Sequence, residues 1–142
     1  LNNLASLLQA TNRLAEAEPL MRQGLRIEET SKGPNHPHVA IQLNNLALLL
    51  QDTNRLAEAE PLMRRALEID EAAFGPEHPE VARDLSNLAA LLQATNRLAE
   101  SEPLMRRAVK ICERSLGPDH PKTVTCRKNL KALRQMREEN AP

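Results

Sequence analysis

The sequence predicts an all-α protein made of stacked helix pairs, and three observations lead to that prediction. The chain repeats every 42 residues, and about 26 of the 42 aligned positions are identical between residues 43–84 and 85–126. Apolar residues in each repeat recur at the i, i+3, i+4, i+7 spacing of an amphipathic helix. Residues that start and end helices recur at the same places in each copy. Such self-similarity is typical of architectures in which each unit packs on its neighbours.

The first helix of each repeat is predicted over residues 79–94 in the third copy. A His-Pro pair precedes it, and proline is favoured at the first helical position because its missing N–H needs no partner there. The turn after it contains Asn96, a residue type that tolerates left-handed backbone dihedrals. The apolar positions keep helical spacing: Leu85, Leu88, Ala89 and Leu92.

The second helix of the repeat is predicted over residues 98–116. Gly117 and Pro118 are expected to end it, with the glycine in the left-handed cap conformation. Pro61 and its equivalents lie inside this helix, where proline costs about 3 kcal/mol. Such a proline needs either a bend or a later helix start, and we predict a kink near Glu60–Pro61. One face carries Leu98, Ser101, Leu104, Met105, Ala108 and Ile111.

The repeats divide the chain into residues 1–42, 43–84 and 85–126, followed by a capping helix at about 120–139. Arg127 and Arg134 stand where the third repeat has leucine, as expected of a terminal helix that meets water. Residues 1–142 are therefore predicted to form a single repeat domain. Leu1 falls inside a first helix, so we expect a fragment of a longer array. Its uncapped N-terminal end is expected to permit head-to-tail self-association.

Charge and composition argue against several function classes. The chain has 19 Lys and Arg against 19 Asp and Glu, without the basic excess expected for nucleic-acid or membrane-surface binding. No apolar run reaches the roughly 18–20 residues that span a bilayer. No segment has the pattern of a signal peptide. The sequence therefore predicts no nucleic-acid partner and no membrane partner.

Cys112 and Cys126 lie about equally far from a predicted turn near Asp119, so they could face each other across a helical hairpin. They are too few for a disulfide framework. A disulfide and a pair of reduced thiols both fit, and the reduced pair is favoured. Reduced thiols indicate a reducing compartment, so the predicted location is cytoplasmic.

No catalytic, cofactor or metal site is predicted, and the chain is not expected to be an enzyme. His36, His78 and His120 recur at 42-residue intervals. Ligands of one zinc ion lie about 2.0–2.1 Å from it, too close for residues of successive repeats. These histidines are interpreted as connector residues. Recurrent Glu–Arg pairs such as Glu102 and Arg106 have i,i+4 spacing and are interpreted as a solvated convex face.

The stretch NLALLLQDTNRLAEAEPLMRRALEID resembles a tetratricopeptide repeat. Leu46–Ala47 matches the large–small pair of the first helix, Asn54 the turn glycine, and Ala59 and Ala66 the small positions. The 42-residue spacing and the connector GPEHPEVA are similar to the kinesin light chain subfamily. The resemblance implies a right-handed α-α superhelix, a solenoid of about 3.5 repeats and seven helices. It also implies a non-catalytic scaffold whose first helices line a concave groove and bind a protein or peptide partner.

The polar arc of the first helix is the predicted binding site. On a helical wheel it lies opposite the face that packs on the second helix. Primary amides both donate and accept hydrogen bonds, which suits an extended peptide backbone. The resemblance implies that asparagines matching Asn45 hold the ligand main chain. The predicted peptide-binding residues are Asn2, Asn3, Gln9, Ile41, Asn44, Asn45, Leu48, Gln51, Asp52, Arg83, Ser86, Asn87, Ala90, Gln93, Lys128, Asn129 and Gln135.

Several alternatives stay open from the sequence. The amides could instead brace neighbouring helices. The array could be a structural, self-associating or regulatory segment of a larger signalling protein, or a consensus-like engineered scaffold. Only Arg83 and Lys128 bring positive charge to the predicted groove, so no strong site for a C-terminal carboxylate is expected.

Overall fold

The computed structural model describes residues 3–5, 7 and 13–140, and within these residues it contains helices, turns and no strand. Residues 3–5 and 7 are helical. Six further helices follow: α1 (Leu14–Lys32), α2 (Pro37–Asp52), α3 (Leu56–Phe74), α4 (Pro79–Ala94), α5 (Leu98–Leu116) and α6 (Pro121–Glu139). None of the described helices is long and apolar enough to cross a membrane.

The starts of the first helices are confirmed, because α2, α4 and α6 each begin at the proline of a His-Pro pair. The histidine before each proline is the N-cap residue. Its Nδ1 accepts a hydrogen bond of 3.1 Å from the backbone N–H two residues later. The recurrent histidines thus satisfy one of the N–H groups that a helix start leaves unpaired.

Replacing His120 with alanine is expected to destabilise the protein by about 1 kcal/mol, because the backbone N–H of Lys122 loses its side-chain acceptor. His120→Ser supplies another cap acceptor and should recover most of the loss. Urea denaturation of the three proteins measures the difference. Equal destabilisation by serine and alanine would show that the cap bond contributes nothing.

The second helices end at glycines, but not in the predicted conformation. Gly117 has φ 91° and ψ 160°, which is an extended region accessible essentially to glycine alone. The positive φ agrees with the expected left-handed cap, but ψ does not. The expectation is therefore wrong, because the chain leaves the helix in an extended conformation. Asn54 and Asn96 do adopt positive φ, at 60° and 59°, as the turn pattern predicts.

The interior prolines do not delay the second helices. α3 begins at Leu56 and continues through Pro61, so the later start considered from the sequence is wrong. Pro61 removes the N–H that would bond to the carbonyl of Ala57. Both residues are exposed, so water can reach that carbonyl. The kink stays a prediction.

The chain forms two compact units, residues 1–73 and 74–142. In the N-terminal unit, α1 packs against α2, and the side chains of Val39, Ala40 and Leu43 form a core with Ala66 and Ile69 of α3. In the C-terminal unit, α5 contacts both α4 and α6. The largest fully buried side chains of the C-terminal unit are Leu85, Leu88, Leu91, Leu92, Ile111 and Leu133. The division into three repeats and a cap within one domain stays a prediction.

Candidate functional site between two first helices

A pocket of about 340 Å³ opens between α4 and α6 in the C-terminal unit. It brings together Arg83, Ser86 and Asn87 of the predicted set with Asn129, as the wheel predicted for successive first helices. α5 contributes Cys112 and Leu116, and α6 adds Lys122, Thr125 and Cys126. The pocket therefore has amides and two cationic side chains, Arg83 and Lys122, beside an apolar, sulfur-containing wall.

The two asparagines of the pocket are available for a ligand. Asn129 is exposed and Asn87 is half-buried. Within the described part of the chain, neither side chain forms a hydrogen bond to the protein. Each amide thus keeps its donors and its acceptor for another molecule.

The N-terminal unit presents a more apolar face on α2. Ile41 and Leu48 are 44% and 40% exposed, and Asn45 lies between them in sequence and is exposed as well. Asp52 is exposed and Gln51 half-buried at the end of the helix. This face offers two apolar contacts seven residues apart, on the same side of the helix.

The exposure of Asn44 predicted from the helical wheel is wrong. This residue is only 5% exposed, whereas the sequence placed it on the polar arc of the first helix. α2 packs against both α1 and α3, so burial extends around more of its circumference than one contact face. Gln42 and Leu49 are buried for the same reason. Asn44 is therefore not open to a ligand.

The remaining predicted residues fall into separate groups. Asn3, Ala90 and Lys128 are exposed on their helices. Gln135 lines a different pocket, between α5 and α6. Asn2 and Gln9 lie outside the described residues.

Gln93 makes a contact that the peptide-binding hypothesis did not include. Its Nε2 donates to the sulfur of Met136 at 3.0 Å, which joins α4 to α6. This is the bracing contact that the sequence left as an alternative. The amides of Gln93 and Asn87 thus have different environments on the same helix.

The charge of the pocket differs from the sequence expectation. Lys122 lines it and Lys128 does not. Arg83 is engaged with Glu80 at 2.7 Å and with Asp84 at 3.4 Å. Lys122 was missed because it follows the connector proline, outside the arc assigned from the repeat. The pocket remains weakly charged overall, because its arginine is paired with carboxylates.

The two cysteines were not predicted as part of the site. Their sulfur atoms lie 3.8 Å apart as free thiols, which fits the predicted hairpin geometry. Burial, and secondarily the neighbouring Cys126, raises the pKa of Cys112 to about 11. Among the described residues, no three His, Cys, Asp or Glu side chains are grouped so that they could hold a metal ion.

Glu102 is more than a member of a solvated surface pair. It is 8% exposed, and its carboxylate contacts Arg106 at 3.1 Å, Arg134 at 3.3 Å and Arg137. The hydrogen bond from Arg137 is the largest cause of its lowered pKa, which burial partly opposes. The predicted i,i+4 pair is present, but the carboxylate also ties α5 to α6.

Replacing Glu102 with glutamine should cost about 1–2 kcal/mol at pH 7, since three half-exposed arginines lose their anion. A carboxyl with a lowered folded-state pKa stabilises the fold above its unfolded pKa of about 4.3. That contribution is lost as the pH falls through the folded-state pKa. Denaturation of both proteins should therefore give stabilities that converge below about pH 4.

The exposed acid Glu100 on the same helix gives the matched control. Glu100→Gln is expected to change stability by no more than about 0.5 kcal/mol at pH 7. A stability difference between Glu102→Gln and the parent that stays constant from pH 7 to pH 3 would contradict this account of the carboxylate.

Comparison with known proteins places this geometry in a family. A family model described as tetratricopeptide repeat matches residues 1–72, 39–110 and 85–141. No curated protein matches the chain. Since the family model covers nearly the whole sequence, the all-α repeat-solenoid fold class is confirmed.

Two solved structures show the same fold. The kinesin light chain nearly identical TPR-like repeats of Podosopora anserina are 25% identical with a TM-score of 0.85, covering 94% of this chain and 63% of that one. BtubC (BKLC) from P. vanneervenii is 21% identical with a TM-score of 0.72, covering 98% and 63%. The chain thus spans less than two thirds of either relative.

Tetratricopeptide repeats are typically non-catalytic and generally mediate protein–protein interaction. The chain belongs to the tetratricopeptide repeat family, and its similar structures include kinesin light chain-like repeats.

Proposed function

We propose that the chain binds an extended peptide segment of a partner protein, and that the pocket between α4 and α6 is the main contact. The single observation that carries this proposal is the pair of asparagines, Asn87 and Asn129, which line one pocket without a protein partner for their amides. An extended peptide has free N–H and C=O groups on alternate sides, and primary amides pair with both. The proposed location of this interaction is the cytoplasm.

The chemistry of the pocket indicates the kind of peptide that fits. Leu116 and the two cysteines give an apolar wall, which favours a small apolar side chain in the pocket. Arg83 is already paired with two carboxylates, so the pocket has little net positive charge to attract a strongly acidic segment. A weakly charged peptide is therefore the proposed ligand, with Lys122 as the cation available at the rim.

The faces of the other first helices are proposed as further contacts. On α2, Ile41 and Leu48 offer apolar surface beside Asn45. Because side-chain identity on these faces differs between repeats while the asparagine recurs, the asparagines would hold the main chain and the other positions would select side chains.

The competing proposal is that the array is a structural or self-associating segment. The bond from Gln93 to Met136 supports it, since one amide of the predicted peptide-binding set is used inside the protein. The peptide-binding proposal predicts that filling the pocket weakens peptide binding, whereas the competing proposal predicts no such effect.

Peptide selection followed by pocket filling tests the proposal. Peptides from a random display library are selected on the immobilised full chain and their affinities are measured by fluorescence anisotropy. Thr125→Trp places an indole in the pocket from an exposed position, and Val124→Trp places one on the neighbouring exposed position outside it. We expect Thr125→Trp to weaken binding at least about tenfold, a difference of about 1.4 kcal/mol, and Val124→Trp to leave it unchanged. Failure to select any peptide, or equal binding to both variants, overturns the proposal.

A further inference from the structure

The sulfur atoms of Cys112 and Cys126 face each other from α5 and α6 at a distance of 3.8 Å. A disulfide bond is about 2.05 Å long, so the two atoms would approach by about 1.8 Å. Rotation of the two side chains would have to supply this movement. Both thiols are buried, at 3% and 8% exposure, and neither is bonded to another cysteine.

The pocket gives small molecules access to this pair. Both cysteines line it, and Cys126 is the more exposed of the two. The hydroxyl of Ser86 lies 3.7 Å from the sulfur of Cys126. A peroxide that enters the pocket can therefore meet Cys126 first, with the second thiol already in place behind it.

The cysteines are a departure from the repeat rather than part of it. The same two positions of the other repeats hold carboxylate or amide residues: Glu28 with Gln42, and Asp70 with Asp84. The third repeat thus replaces polar side chains by two thiols at a crossing between helices. A purely apolar filling of that space would not require sulfur at both positions.

We propose that Cys112 and Cys126 are a redox-active pair that closes to a reversible intramolecular disulfide. The oxidant is hydrogen peroxide. The Cys126 sulfur attacks one peroxide oxygen, the O–O bond breaks, and a sulfenic acid and one water form. The Cys112 sulfur then attacks the sulfenic sulfur, expels its oxygen as a second water and completes the S–S bond. Two thiols are oxidised, and one hydrogen peroxide is reduced to two waters.

The disulfide would pin the last described helix, α6, to α5. The closed loop contains about 15 residues, for which a cross-link gives substantial stabilisation in the chain-entropy model. The expected consequence is a rise of about 5–10 °C in Tm of the oxidised protein. Because Cys112 is held as a thiol at neutral pH, oxidation is expected to be slow and to need hours with excess peroxide.

Oxidation of the full chain by hydrogen peroxide tests this proposal. We expect both thiols to disappear from titration with Ellman's reagent, the monomer mass to fall by two hydrogen atoms, and Tm to rise. Dithiothreitol should reverse all three changes. Glutathione oxidised in a parallel tube confirms that the peroxide is active.

Two single-cysteine variants are the controls for this experiment. Cys112→Ala leaves Cys126 without its partner and should yield a sulfenic adduct or a linked dimer, with no gain in Tm. Cys126→Ala removes the sulfur that meets the peroxide first, so Cys112 should stay a thiol, again with no gain in Tm. Their circular dichroism spectra report whether they fold. If the parent protein keeps two free thiols after glutathione has been fully oxidised, or gives only higher oxides or intermolecular dimers, the proposal is wrong. This test does not depend on peptide binding.

Discussion

Replacing Ala89 with leucine is expected to lower the free energy of unfolding of the C-terminal unit by about 3 kcal/mol. Ala89 is fully buried, and its carbonyl accepts a 2.6 Å hydrogen bond from the hydroxyl of Ser101 on α5. This bond fixes α4 and α5 at a close crossing. A leucine side chain has no space there unless the helices separate.

The adjacent Ala90 provides a control with the same chemical change. It is exposed on α4, so Ala90→Leu should alter stability by no more than about 0.5 kcal/mol. Urea denaturation followed by circular dichroism measures both variants. Equal stability of the two variants would show that the small residue is not what allows the helices to meet.

Removing both pocket asparagines is expected to weaken binding of a selected peptide by about 10- to 100-fold. One hydrogen bond from each amide to the peptide backbone has a net contribution of about 0.5–1.5 kcal/mol, so losing both costs about 1–3 kcal/mol, which corresponds to this loss of affinity. Alanine has a higher helix propensity than asparagine. The double variant Asn87→Ala with Asn129→Ala should therefore be as stable as the parent, which separates loss of binding from loss of fold.

Asn96 offers the matched control for this variant. It is an exposed asparagine at the turn between α4 and α5, where φ is 59°. Asn96→Gly removes an amide and keeps the positive φ accessible. Its affinity for the peptide should equal that of the parent. Parent-like affinity of the double variant would exclude the amides as the main contacts.

The periodic features of the chain could be predicted because each has a local physical cause. The proline after each histidine starts α2, α4 and α6, and the asparagine turns separate the helices of each pair. The repeat then placed Asn87 and Asn129 on equivalent positions of successive first helices, and both line one pocket. None of these predictions required knowledge of distant contacts.

The features that were missed depend on how much of a helix is covered by its neighbours. Asn44 is buried because α2 is packed on two sides, and a wheel with a single core face cannot show this. Glu102 has the spacing of a surface pair, but Arg134 and Arg137 of the next helix also reach it. Such contacts depend on the packing of successive helices, which the sequence pattern does not specify.

The most direct test of the proposed peptide site is an NMR titration of the ¹⁵N-labelled chain with a peptide selected on it. Side-chain NH₂ resonances report each asparagine separately. The proposal predicts that the signals of Asn87 and Asn129 shift and saturate with the measured affinity, while the signal of Asn96 stays in place. Saturable binding that leaves the signals of Asn87 and Asn129 unmoved would contradict it.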